Sequence, residues 1–324
     1  MPLTTRRRAI AAALGFSLFA MAAHAQVVPK TIRLVVAYPA GGVSDVIARA
    51  LADKLSSQLG STVVVENRAG ASGTIGVDAV AKAAPDGATL GFSAISPLVL
   101  NPHLARSPFD PLKDIAPVAS VMYSPILLLA TPATGTRDFR SLIEDARARP
   151  GAVRWATSGQ ASLGHVVLEQ LRAAARIDIT HIPYKGGGQQ LNDAVGGQFE
   201  ILSINAGPSV SSQIEAGKLR PLAVGAPARL DNLPKVPTLA ELGFPEANVS
   251  SLFGVFAPGA TPPILIEKYN VEINRALNSP DLRARMISTG NVPTGGRTEA
   301  FADEIASEYE SNGRIVRAAN IKPE

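Results

Sequence analysis

The chain has 324 residues, no cysteine, four histidines and a formal charge of +4. The missing thiols exclude disulfides, cysteine nucleophiles, thiolate metal sites and a lipid-modified cysteine, and the length exceeds one typical domain, so two lobes are expected. The positive balance does not point to nucleic acid: of 31 Lys and Arg, three (Arg6, Arg7 and Arg8) lie in an N-terminal leader, leaving 28 against 27 Asp and Glu.

Those arginines precede an apolar run from Ala9 to Ala23 and the small-residue pattern Ala23-His24-Ala25. This order reads as a signal peptide over residues 1–25, cleaved near Ala25, with a periplasmic mature chain. The apolar run is 15 residues, short of the roughly 20 that span a bilayer as a helix. The arginine run permits twin-arginine export, although the residues after it fit that pattern poorly. No later stretch is apolar enough to cross a membrane.

Short β-rich runs then alternate with helical patterns, which points to βαβ units and mainly parallel sheets. Ile32 to Ala37 reads as a strand and Tyr38-Pro39-Ala40-Gly41-Gly42 as a loop. A helix follows from an N-cap at Ser44, with Ile47, Leu51 and Leu55 on one face and Gly60 as its stop. Val63–Glu66 and Thr89–Ser93 read as strands. A second unit opens with a strand at Val153–Ala156, the loop Thr157-Ser158-Gly159-Gln160-Ala161 and a helix capped by Ser162. Strands at Ile177–Ile182, Phe199–Ile204 and Leu219–Val224 follow. Ile126–Ala130 and Leu252–Ala257 read as strands crossing between the lobes. They place 26–128 with 255–324 in one lobe and 129–254 in the other. Helices over 263–277 and 298–318 are expected to return to the first lobe, and a cleft is expected beside the crossings.

Gly41 and Gly42 let backbone N–H groups approach an anion where the chain enters a helix, and the helix dipole favours the same charge. The loop lacks the Lys of a Walker motif and the third glycine of a dinucleotide fingerprint. Asp45 would repel an anion if it faced the pocket, so it is expected to cap backbone N–H groups or order a water. Hydroxyls of Thr157, Ser158 and Ser162 could hold the far end of a ligand. Gly159-Gln160-Ala161-Ser162-Leu163-Gly164 is one residue too long for a nucleophile elbow, which argues against Ser162 and His165 as a hydrolase pair. The loop Gly70 to Gly76 suits a cleft rim, and Lys185 a solvated loop. His103, His165 and His181 are too dispersed for a metal site.

Together these motifs identify a resemblance. Tyr38 to Asp45 with Ala48-Arg49, Val65 to Gly73, Ala84 to Gly87, Phe109 to Asp114, His181 to Gly186, Gly196 to Gln198 and Ala216 to Arg220 follow one another along nearly the whole mature chain. The chain resembles the Bug-type extracytoplasmic solute receptors of tripartite tricarboxylate transporters. That resemblance implies a two-lobed class II periplasmic-binding-protein fold of the α/β class and no enzymatic activity. It implies no cofactor, a small carboxylate ligand (dicarboxylate, tricarboxylate, amino acid or aromatic acid) and membrane transporter subunits as partners for a monomer. It places Tyr38, Ala40, Gly41, Gly42 and Asp45 in one half of the site. Thr157, Ser158, Gly159, Ser162 and Asn205 fall in the other. Ala40 stands where many relatives have Pro, Gln160 and Leu163 stand in a loop that is often smaller, and Asn205 stands where Asp is common. A sensor subunit that signals to a membrane partner needs the same cleft and is the alternative.

Overall fold

The computed structural model describes residues 28–318 apart from Ala161; the leader expected over 1–25 lies outside the described residues. The first unit is β1 (Thr31–Val36), α1 (Val43–Leu59), β2 (Thr62–Asn67), α2 (Thr74–Ala81) and β3 (Thr89–Ala94). Strand β1 pairs in parallel with both β2 and β3. Ile47, Leu51 and Leu55 are fully buried on the inner face of α1, as their spacing predicts. Gly60 ends the helix in the left-handed conformation (φ 64°). The start differs from the expectation. Gly42, extended and without a side-chain cap, is the N-cap, and Ser44 lies inside the first turn.

After the short helices α3 (Ser96–Val99) and α4 (Asn101–Leu104), the chain enters β4 (Ile115–Ala130). Its first part runs antiparallel to β9 (Ser250–Pro258), up to the Pro125–Ser250 pair. From Ile126 onward its partners become β7 (Ile201–Asn205) and β8 (Arg220–Gly225). One continuous strand therefore serves both sheets, and the change of partners falls between Pro125 and Ile126. The second sheet also holds β5 (Arg154–Thr157), parallel to β7 and to β6 (Thr180–Pro183). Around it lie α5 (Phe139–Ala148), α6 (Leu163–Ala175), α7 (Gly187–Val195) and α8 (Pro208–Glu215). Each sheet is thus mixed. The expected parallel pairing occupies the outer strands, and antiparallel pairing occurs where the chain leaves along β4 and returns along β9.

The last elements are α9 (Pro263–Leu277), α10 (Pro280–Ile287), β10 (Val292–Pro293) and α11 (Thr298–Ala318). Tyr269 and Ile273 of α9 are packed in one core with Ile32, Leu34 and Leu51. Phe301 and Ile305 of α11 pack with Val35 and Phe256 on the other face of that sheet. The second lobe has its own core around Trp155, Leu168 and Leu171. Among the described residues no helix is long and apolar enough to cross a membrane.

Phe301 is 2% exposed and its ring lies 5.5 Å from that of Phe256, over Gly254, where an added Cβ would collide with it. Phe301→Ala should therefore destabilise the protein by about 3–5 kcal/mol, measured by urea unfolding. A change within experimental error would show that α11 is not anchored by this ring.

Candidate ligand-binding cleft

A cavity of about 500 Å³ lies between the two sheets. Four helices direct their N-termini into it. Gly42, Val43 and Ser44 come from α1, Ser162, Leu163 and Gly164 from α6, Gly187, Gly188 and Gln189 from α7, and Gly207, Pro208 and Ser209 from α8. The first amides of a helix have no partner inside it. Three of these four N-caps are glycines (Gly42, Gly186 and Gly207) without a side-chain cap. Only α6 has one: the Ser162 hydroxyl accepts from the His165 backbone N–H at 3.4 Å. Apolar walls are formed by Ile126, Leu163, Leu191, Ile204 and Phe253, and among the described residues no charged one lines the cavity.

The lobes meet around this space. Pro39 touches the Gly186 turn, where an added Cβ would lie 2.6 Å from the Pro39 ring and φ is +137°, so only glycine fits. The Ser72 hydroxyl donates to Gln160 O across the cleft, and Ser209 Oγ reaches Gly41 O at 3.5 Å. Gly207 faces Val43, with 3.1 Å between the place of a Cβ and the Val43 Cβ.

Of the residues expected in the site, Tyr38, Ala40, Gly41, Gly42, Ser158, Ser162 and Asn205 line the cavity. Asp45, Thr157 and Gly159 do not, and each is committed elsewhere. The Asp45 carboxylate accepts from Gly41 N (3.0 Å), Asn67 Nδ2 (3.0 Å) and Arg49 (2.8 Å). It consumes the Gly41 amide and shapes the loop from behind. Asn67 also donates to Tyr38 O (3.1 Å), so the two motifs Tyr38–Arg49 and Val65–Gly73 are joined by one polar network. Burial raises the Asp45 pKa, but the bonds from Arg49, Gly41 and Asn67 outweigh it and hold the pKa below 3.8.

Thr157 is fully buried behind the second loop. Its hydroxyl donates to Gly159 O (2.9 Å) and accepts from Gly159 N (3.3 Å). A hydroxyl has one hydrogen, so His181 Nε2, 2.7 Å away, is the donor of its contact. His181 stacks on His165 with ring centroids 4.2 Å apart. Burial, then the charges of His165 and Arg172, push its pKa down to about 3 against a smaller opposing effect of Glu169, keeping it neutral. Asn205 Nδ2 donates one of its two hydrogens to Ser124 O (3.1 Å). Lys185 is exposed and does not line the cavity. The α8 start, Gly207-Pro208-Ser209, was missed by motif reading; its signal is a proline at the first helical position.

Two α/β lobes sharing a long strand, with a ligand-sized cavity between them, define a solute-binding protein. The family model described as the tripartite tricarboxylate transporter family receptor matches residues 47–321, and the chain belongs to that family. Protein BugT of Bordetella pertussis is 39% identical over 297 residues, covering 90% of each chain. A solved R. palustris protein with adipate is 31% identical, with a TM-score of 0.86 over 91% of this chain and 98% of its own. MatC of Rhodopseudomonas palustris, solved with bound malate, is 28% identical, with a TM-score of 0.83 over 88% and 98%. The protein is a solute receptor and not an enzyme; Ser162 serves as a helix cap.

Asp45→Asn should remove about 1–3 kcal/mol at neutral pH by weakening the buried hydrogen bonds. The pKa of Asp45 is depressed in the folded state, so its contribution is present above its unfolded value of 3.8 and disappears as pH falls through the folded value. Thermal unfolding of both proteins from pH 7 downward should show the gap narrowing only in acid. Gly207 is extended (φ −176°), so Gly207→Val strains no backbone but presses on Val43. It should hold the lobes apart, giving a larger radius of gyration by X-ray scattering with little loss of thermal stability.

Proposed function

We propose that the chain works in the periplasm, captures a small carboxylate between its lobes and presents it to the membrane subunits of a tripartite transporter. The observation that carries this reading is the convergence of four helix N-termini, three of them capped by glycine, on an uncharged cavity. Such amides lack protein partners and attract negative charge. A carboxylate supplies acceptors for them without needing a cationic residue. Adipate and malate, the ligands in two similar solved structures, are both carboxylates. The contacts at Pro39–Gly186 and Ser72–Gln160 join the lobes beside the ligand space, so a ligand that bridges them favours closure. The closed face is then the surface that a membrane subunit can distinguish from the empty receptor.

The test is a thermal-shift panel of carboxylates on protein refolded to strip carried-over ligand, followed by calorimetry. A ligand at about 100 times its Kd adds roughly 2.7 kcal/mol. Gly188 lines the cavity, and an added Cβ there has no neighbour within 4 Å. Gly188→Leu should therefore fold normally and lose the shift. A panel with no stabilising carboxylate would remove this reading.

A further inference from the structure

We infer that the loop Gly70–Gly73 is a strained latch across the cleft: the Ser72 hydroxyl grips the second lobe from a backbone conformation that relaxes when the lobes part. The device is independent of which solute the receptor carries.

The backbone is the first observation. Gly70, Ala71, Ser72 and Gly73 all have positive φ, at 136°, 45°, 52° and 100°. Ser72 and Gly73, with ψ of 30° and −11°, take the two central positions of a type I′ turn, which favours Gly, Asn or Asp at both. Alanine and serine are disfavoured in the left-handed region, because their Cβ crowds the backbone there. Among the described residues only three that are not glycine have positive φ: Ala71, Ser72 and Arg176. Arg176 ends helix α6, the place where helices commonly leave the right-handed region. The other two stand side by side at the cleft. Strained residues persist only where their surroundings hold them.

The hold from their own lobe is loose. Tyr38 Oη donates to Ser72 O and Asn101 Nδ2 to Ala71 O, each at 3.5 Å. The shorter bond of Asn101 goes to Thr74 Oγ1 (2.8 Å), outside the strained pair. The tight contact comes from the other lobe, where the Ser72 hydroxyl donates to Gln160 O. That side is shaped to receive it. Gly159 has φ +150°, and a Cβ there would collide with Ser72 Oγ, so only glycine fits. Thr157 fixes Gly159 from behind through both its N–H and its carbonyl. Ser72 thus fills a socket in the opposite lobe while lining the ligand cavity. When the lobes separate, the hydroxyl loses its acceptor and the loop is free to leave the left-handed region. That relief favours opening, so the latch both marks the closed form and eases release of the solute.

Spin labels test the latch without any ligand. The chain has no cysteine, so labels on Asp53→Cys in α1 and Glu144→Cys in α5, both exposed, report one distance between the lobes. Double electron–electron resonance on ligand-stripped protein gives the ratio of short to long spacings. Ala71→Gly keeps the hydroxyl and removes strain; it should raise that ratio about fivefold. Ser72→Ala keeps the strained backbone and removes the hydroxyl; it should lower the ratio by about the same factor. Arg176→Gly is the control, relieving the same kind of strain away from the cleft. It should raise the urea midpoint and leave the ratio alone. If Ala71→Gly raises the midpoint with the ratio unchanged, the strain is equal in both forms and the latch is overturned. An Ala71→Gly protein with no population at the spacing of this structure would overturn it too, as would an unchanged ratio in Ser72→Ala or a shift in Arg176→Gly equal to that in Ala71→Gly.

Discussion

The first turns of four helices line one cavity, and much of the rest of the structure serves that arrangement. A helix must begin with unpaired N–H groups, which a capping side chain can satisfy. Here glycine stands at three of the four caps. The donors stay available, and the positive ends of the dipoles create a place for negative charge inside a cavity without cations. Binding strength then depends on how well the loops hold their shape.

That shape is enforced from behind the cavity. On one side Asp45, Asn67 and Arg49 form a closed polar group that fixes the Tyr38–Gly42 turn. On the other, Thr157 and His181 hold the turn before α6. Apart from the exposed guanidinium of Arg49, the members of both groups are buried or half-buried and hydrogen-bonded to one another, which lets a polar network add rigidity. Neither contributes a formal charge to the ligand space. The lining loops and the side chains that support them are therefore separated by one layer of residues.

Movement has its own economy. Strand β4 passes from one sheet to the other without a break, and the paired β9 begins at the same level. Two strands side by side permit bending while the cores on either side remain intact. The cleft rims carry glycines where the lobes approach most closely, at Gly186 and Gly207. An added side chain at either place would press the rims apart.

The sequence by itself determined the αβ order, the faces of α1, α6 and α9, the return of the last helices and the two glycine-rich turns, because these depend on spacing and local backbone preference. It also identified the family through ordered motifs. It did not show which members of those motifs face the ligand: Asp45, Thr157 and Gly159 sit beside lining residues in the chain yet turn to partners far away in sequence. Nor did it reveal the N-terminus of α8, or that the crossing strand read at Ile126–Ala130 runs unbroken from Ile115. Tertiary structure decided these points. The direction of a side chain and the partner of an amide are fixed only when distant segments pack together, and so is the absence of charge in a cavity built from two lobes.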